Sequence, residues 1–199
     1  MTNGKEILPG LVLDDELYEA AAAGIAEFAP EHAPLTRERF TTPTEWAMIP
    51  DEHCDLVKAE MVLSRSIEAT RKINIWFAPD LRGDAFPLPH SHSWFFESHV
   101  LLNGLTEDRY DTNGDQVTTE YNVAHRFGTS YQVPKHLYHE VTDIHGEPGR
   151  AMTLMVCGVG KRGDWGYLDV DTGAHRQIEP DPDFSKRFAA LNPHLHVWK

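Results

Sequence analysis

Short alternating runs of hydrophobic and polar positions follow one another along most of the chain after about residue 70. Runs rich in β-branched and aromatic residues, separated by Gly, Pro, Asn and Asp, predict strands. These predicted strands cover residues 72–77, 97–103, 105–111, 117–123, 130–133, 138–144, 151–157 and 165–170. The Asn113-Gly114 pair predicts a hairpin turn between the third and fourth of them. Short strands joined by frequent turns are typical of an all-β barrel or sandwich.

The first seventy residues have a different pattern. Residues 14–28 are rich in Ala, Glu and Leu, begin with acids and stop before Pro30, which predicts a helix. Residues 50–70 begin with Pro and acids and continue with helix formers, which predicts a second helix. A short helix is expected near 183–191. We therefore expect one domain, with a helical extension at 1–70, a β-barrel at 71–180 and a tail at 181–199.

Charge and cysteine content restrict the function classes. The 199 residues carry a formal net charge of −13, which disfavours nucleic acid and anionic membranes as partners because both require clustered Lys and Arg. No apolar run approaches the length of a membrane helix, and the N-terminus lacks a signal-peptide pattern. Cys54 and Cys157 are too few for a disulfide framework. We expect a cytoplasmic protein.

A histidine pair is the strongest chemical signal. His90 and His92 are two residues apart, so they point the same way on an extended segment. Glu97 follows on a predicted strand, and His139 lies on a later one. Three imidazoles and a carboxylate that converge form a site for one transition metal, because imidazole suits Zn, Cu, Fe and Ni and a carboxylate adds charge.

The spacing of these residues also resembles a known family. The patterns His90-x-His92-x4-Glu97-x6-Gly104 and Gly128-x5-Pro134-x4-His139 are similar to the two signatures of the cupin superfamily, over residues 71–158. Two positions depart from the pattern, with His136 in place of a Gly and Asp143 in place of an Asn. The resemblance implies a small cupin β-barrel (a double-stranded β-helix) whose metal is bound by His90, His92, Glu97 and His139.

A weaker resemblance points to one branch of that superfamily. The run 139–148, the chain length and the helical N-terminus are similar to cysteine dioxygenase and related thiol dioxygenases, and cysteine dioxygenase binds iron through three histidines. Glu97 stands where many members carry a Cys that cross-links to a Tyr, and Val156 and Cys157 stand near the expected Tyr. The cross-linked cofactor therefore cannot form here.

Further residues are candidates for the same site. The thiol dioxygenases hold the substrate carboxylate with an Arg from the region of Arg65 and Arg71, so either is a candidate for that role. His99 either packs in the core or orients a ligand, and Glu97 is a candidate base. His125 is expected at the surface or in a turn. Five aromatic residues are expected to pack the barrel, with one or two lining a substrate pocket: Trp76, Trp94, Phe95, Phe96 and Tyr131.

These features predict a mononuclear non-haem iron(II) oxygenase that acts on a small organic substrate, such as an amino acid, a small acid or a thiol, together with dioxygen. Mn, Ni, Zn and Cu are alternative metals. A metal-dependent isomerase, epimerase or lyase would use the same ligands, and a non-enzymatic binding module is a third class. Edge strands of small barrels often pair across a two-fold axis, so a homodimer is plausible.

Overall fold

A computed structural model describes residues 4–82, 87–114, 116–161, 165–177 and 181–195. The α-helices are α1 (Asp15–Phe28), α2 (Arg37–Phe40) and α3 (Phe184–Leu191), and single 3-10 turns occupy Pro30–His32 and Pro43–Glu45. Most of the remaining structure is strand: β1 (Lys5–Leu8), β2 (Leu11–Leu13), β3 (Trp46–Pro50), β4 (Leu56–Arg65), β5 (Thr70–Trp76), β6 (Phe96–Leu102), β7 (Gly104–Asn113), β8 (Gln116–Arg126), β9 (Ser130–Val133), β10 (Tyr138–His145), β11 (Ala151–Cys157), β12 (Gly166–Leu168) and β13 (His175–Gln177). In these ranges no helix is long and apolar enough to cross a membrane.

Two β-sheets make up most of the fold. One has six strands in the order β3-β4-β5-β11-β6-β9, and the other has three in the order β10-β7-β8, with antiparallel pairing throughout. The pairs β1-β2 and β12-β13 are separate. The predicted β-rich class is therefore confirmed. Among the described residues the strand pairings do not close into a barrel.

The strand predictions after residue 70 agree with the structure. Strands β5 to β12 occupy the predicted segments, and β9 and β11 match them from end to end. The Asn113-Gly114 hairpin joins β7 to β8, with Gly114 at φ +64°. Helices α1 and α3 also form where the sequence predicted them.

The second predicted helix is wrong, because its segment contains strand β4. Val57, Ala59, Met61 and Leu63 are buried there and alternate with more exposed residues. This period of two is the pattern of a strand with one face on a core. The Lys, Ala, Glu and Met between 58 and 61 favour a helix only weakly, and burial of the alternating apolar face outweighs that preference.

The first seventy residues are also not a purely helical extension. Strand β4 pairs along its length with β5, so the six-stranded sheet runs across the predicted boundary at residue 70. Helix α1 packs on β6 and β11 of the same sheet and buries Leu17, Ala21 and Ile25 in the main hydrophobic core. The N-terminal region therefore supplies the edge strand β3, its neighbour β4 and a covering helix.

The six-stranded sheet has two chemically different faces. The helix-side face, under α1, carries residues such as Ile73, Leu101 and Leu154 of the main core. The inner face turns toward the three-stranded sheet, and Trp76 on it packs against Leu105 and Val141 of that sheet. The space between the sheets is where buried polar and ionisable side chains collect.

Asn192, just after α3, ties the C-terminal segment to strand β3. Its amide oxygen accepts from the Met48 N–H at 2.6 Å, and its amide nitrogen donates to the Met48 carbonyl at 2.7 Å. His194 contacts the Trp46 carbonyl at 2.9 Å in the same way. The polar groups of β3 that face away from β4 are thereby satisfied.

We expect Asn192→Ala to lower the free energy of unfolding by about 2 kcal/mol, because it leaves a buried N–H and a buried carbonyl without partners. Urea unfolding followed by circular dichroism measures this loss. Asn113→Ala, at an exposed hairpin position, serves as the control. Equal stabilities for the two variants would show that the Asn192 hydrogen bonds contribute nothing.

Candidate metal site

Three histidines converge between the two sheets. His90 and His92 lie on the extended segment before β6, and His139 lies on β10. One ring nitrogen from each lies within 4.8 Å of the others. Paired backbone hydrogen bonds hold the two segments together, since the His90 N–H donates to the His139 carbonyl and the reverse bond also forms. We call these residues the histidine triad.

The spacing within the triad suits ligands of one ion. His92 Nε2 and His139 Nε2 are 3.0 Å apart. Two nitrogen ligands about 2.1 Å from one ion, at about a right angle, would lie about 3 Å apart. His90 Nδ1 is buried without a hydrogen-bond partner among the described residues. A buried polar nitrogen without a partner is costly, so the donor set fits a metal ion.

The tautomer of His139 is set by a buried carboxylate. Glu107 on β7 is fully buried, and its Oε2 accepts from His139 Nδ1 at 2.7 Å. The proton therefore lies on Nδ1, which leaves the Nε2 lone pair directed toward His92. A carboxylate behind a metal-binding histidine orients the ring and raises its basicity.

Glu107 also anchors a wider polar network. Its Oε1 accepts from His125 Nε2 at 2.8 Å and from the Arg109 guanidinium at 2.5 Å. Burial raises the pKa of Glu107, but the hydrogen bonds from His125 and His139 and the charge of Arg109 outweigh it and hold the pKa well below its usual range. Glu107 is therefore an anion at neutral pH.

Two members of the triad, His90 and His92, are neutral in the absence of a metal. Burial lowers the pKa of His90 to about 3, although Asp80 opposes the shift. Burial also lowers the pKa of His92 well below its ordinary value, with the nearby His90, His139, Lys58 and Lys72 adding to the effect. Neutral imidazoles offer the lone pairs that a metal needs.

The pKa of His90 predicts an acid-sensitive fold. The unfolded chain takes up a proton on His90 below about pH 6.5, whereas the folded chain does so only near pH 3. Folding stability therefore falls as pH falls between these values, by at most about 1.4 kcal/mol per pH unit for this histidine. Urea unfolding of metal-free protein at pH 7, 6 and 5 should show a smaller decline in His90→Asn. Equal declines would exclude His90 as a source.

Five charged side chains form a chain of ion pairs beside the triad. Lys72 Nζ lies 2.7 Å from Glu60 Oε1, and Lys58 Nζ lies 3.6 Å from the same oxygen. Lys58 is also 4.0 Å from Asp80, which pairs with Arg82 at 2.8 Å. Burial raises the pKa of Glu60, but Lys72 and Lys58 outweigh it, so the net pKa is lowered.

A pocket of about 580 Å³ opens next to the triad. Trp94 borders both, because it lines the pocket and its ring lies 5.6 Å from that of His92, centroid to centroid. Phe96 closes the other side of the triad, 5.1 Å from His92. The polar lining of the pocket includes Glu60, Arg65 and Lys72.

Glu97 does not join the triad. It pairs in register with Val156, which packs against the main core on the helix-side face, whereas its neighbour Phe96 is opposite Cys157 and contacts His92 and His139. The Glu97 carboxylate instead lies 3.9 Å from His99 Nε2. The expected carboxylate ligand is therefore on the other face of β6, away from the triad, which leaves the three histidines as the candidate ligands.

His99 shares that helix-side face. Its ring stacks on Phe28 of α1 at 3.9 Å, and its Nδ1 lies 2.7 Å from Ser130 Oγ. Both contacts are structural, and neither reaches the triad. Of the two alternatives for His99, the packing role fits its position.

The two arginine candidates lie on different faces of the six-stranded sheet. Arg65 lines the pocket, whereas Arg71 pairs with Glu31 at 2.8 Å on the helix-side face. The side chain of Arg71 is therefore engaged away from the pocket.

The aromatic candidates also lie in different surroundings. Trp76 is on the inner face and donates to Thr153 Oγ1 at 3.1 Å. Tyr131 stacks on His125 at 3.6 Å, behind Glu107. Phe95 is exposed and does not line the pocket.

Several site residues were missed from the sequence. Glu107, His125 and Arg109 alternate with other residues on neighbouring strands of the hairpin, and His125 is buried rather than at the surface. A Glu at a core-facing position of a predicted strand is a signal that could have identified Glu107, because a charge is rarely buried without partners. Lys72 gave no comparable signal, whereas Trp94 was among the aromatic candidates.

A scan of protein-family models and a comparison with curated proteins each found no match to this chain. Solved structures give partial matches. KdgF from Halomonas sp. is 11% identical, with a TM-score of 0.37 over 57% of this chain and 87% of that one. Hydroxypropylphosphonic acid epoxidase from S. wedmorenis is 15% identical, with a TM-score of 0.39 over 58% and 56%.

A third match is Pac13 of Streptomyces, described as a nucleoside dehydratase. It is 12% identical to this chain, with a TM-score of 0.42 over 69% of this chain and 91% of that one. Similarity at this level assigns neither a family nor a reaction to the chain.

Proposed function

We propose that the histidine triad binds one divalent transition metal, and that the protein is a cupin-type mononuclear iron(II) oxygenase acting on a small organic substrate. The observation that carries this proposal is the convergence of three imidazoles, with one ring nitrogen of each within 4.8 Å of the others. Support comes from Glu107, which fixes His139 with its Nε2 lone pair directed toward His92.

Three protein ligands leave positions free on an octahedral ion. Bound iron(II) would supply electron transfer between an organic substrate and dioxygen. The chain's own residues orient and shield the site: Glu107 holds the His139 ring in place, and Phe96 and Trp94 keep bulk water from His92. The pocket behind Trp94 supplies space for a substrate.

Anaerobic reconstitution with iron(II), followed by oxygen-uptake measurements, tests the oxygenase proposal. We expect uptake with at least one member of a panel of amino acids, small carboxylic acids and thiols, and none in His92→Ala. Uptake that is equal in the metal-free protein, or absent for the whole panel with iron bound, would overturn the assignment as an oxygenase.

A second candidate is a metal-dependent isomerase, epimerase or lyase. The observation that favours it is the absence of a carboxylate from the triad among the described residues, since three histidines also form the ligand set of catalytic zinc. Zinc there would polarise a substrate oxygen. Elemental analysis of the purified protein and assays under nitrogen distinguish the two candidates, because only the second proceeds without oxygen.

A further inference from the structure

We infer that the pocket beside the triad binds a small organic anion, with Lys72 as the cation that holds the anionic group. This inference names a substrate class and so rests on the proposed function. The argument starts from the charges around the pocket. The connected ion pairs contain three cations, Lys58, Lys72 and Arg82, and two anions, Glu60 and Asp80. Among the described residues, these ion pairs contain one more cation than anion.

That excess is unusual for this protein. The chain as a whole has a formal net charge of −13, yet the charged residues that line the pocket are two cations, Arg65 and Lys72, and one anion, Glu60. The Lys72 side chain is only 15% exposed. Glu60 is the counter-ion of Lys72 and is shared with Lys58. A bound anion would add a second negative charge beside these poorly hydrated cations, which stabilises them.

Lys72 also has the hydrogen-bonding capacity for a ligand. An ammonium group has three N–H donors, and within the described part of the chain Lys72 donates one side-chain hydrogen bond, to Glu60. Arg65 forms no ion pair with the described residues and lies at the exposed end of the pocket. The ammonium and the guanidinium therefore both line the pocket with hydrogen-bond donors that are free for a ligand.

The remaining walls define the body of the ligand. Ile67, Trp94 and Val159 are apolar, and Ser66 and Ser93 add hydroxyl groups. An apolar or aromatic body with one carboxylate matches this lining better than a sugar or a cation does. Benzoate and benzamide are therefore probes of nearly the same shape that differ in charge and in one acceptor oxygen, which the amide replaces with an NH2 donor.

Two variants break the same ion pair from opposite sides. Lys72→Met removes the cation, whereas Glu60→Gln frees Lys72 from its partner. By calorimetry on metal-free protein, we expect wild-type protein to bind benzoate roughly tenfold more tightly than benzamide. Lys72→Met should lose that preference, and Glu60→Gln should bind benzoate several-fold more tightly. Arg65→Gln, at an exposed position, should weaken benzoate binding less than Lys72→Met does.

The decisive result is that benzoate affinity changes in opposite directions in Lys72→Met and Glu60→Gln. Damage to the pocket from the broken pair would shift both variants in the same direction, and such a parallel shift would overturn the inference, as would equal affinities for benzoate and benzamide. Should Lys72→Met fail to fold, Glu60→Gln and Arg65→Gln still decide the question. Because no metal is present in these measurements, failure of the metal site would leave their outcome unchanged.

Discussion

Replacing His92 with alanine should abolish stoichiometric binding of iron(II), whereas Glu97→Gln should bind it as the wild-type protein does. The reason is which side chains of strand β6 point to which face of the sheet. His92 Nε2 faces His139 Nε2 at 3.0 Å, while Glu97 lies on the helix-side face beside His99. Anaerobic equilibrium dialysis followed by elemental analysis gives the stoichiometry. Fe(II) and Zn(II) are both used, so that the result does not depend on which metal the protein prefers.

Comparing His92→Ala with Glu97→Gln distinguishes a site of four ligands from a site of three histidines. A four-ligand site of the kind the sequence motif implies would lose affinity in Glu97→Gln as well as in His92→Ala. Retention of full metal binding by His92→Ala would contradict the triad itself. Circular dichroism of each variant confirms that a loss of metal does not come from a loss of fold.

Glu107→Ala should weaken metal binding by about 10- to 100-fold and also destabilise the metal-free protein. The metal effect follows because His139 loses the acceptor that fixes its tautomer. The stability effect, about 3 to 5 kcal/mol, follows because Arg109 and two buried histidines lose a shared partner. Competition with a chelator and urea unfolding measure the two effects separately.

Glu120→Ala is the matched control, because Glu120 is an exposed carboxylate on the neighbouring strand β8. It removes the same group and should leave both quantities within error of the wild-type values. Glu107→Gln refines the result. An amide retains a hydrogen-bond acceptor without the charge, so an intermediate loss would attribute part of the effect to electrostatics. A Glu107→Ala protein with wild-type affinity and stability would remove this carboxylate from the site.

The sequence predicted the β-rich class and two of the segments that build the site, because the strands after residue 70 carry a clear period of two. It failed at β4, where residues 58–61 have a helical composition although the buried positions alternate. Counting alternation rather than helix formers would have identified that strand. The error matters for function, since β4 delivers Lys58 and Glu60 to the inner face.

The motif placed Glu97 at the right distance along the chain but not on the right face. A shift of one residue turns a strand side chain to the opposite side, and the segment between His92 and Phe96 sets that phase. Spacing alone does not contain this information. Glu107 and Lys72 were missed for a different reason, since their roles depend on partners from distant strands that meet only in the folded chain.

Strand β3 forms one edge of the six-stranded sheet, and the segment from Asn192 to His194 occupies its free hydrogen-bonding groups. Exposed strand edges recruit strands from other molecules. The C-terminal segment therefore protects against self-association as well as closing the fold. Removing it would leave the outward N–H and carbonyl groups of Met48 open to a second chain, and aggregation at high protein concentration would be the first visible defect.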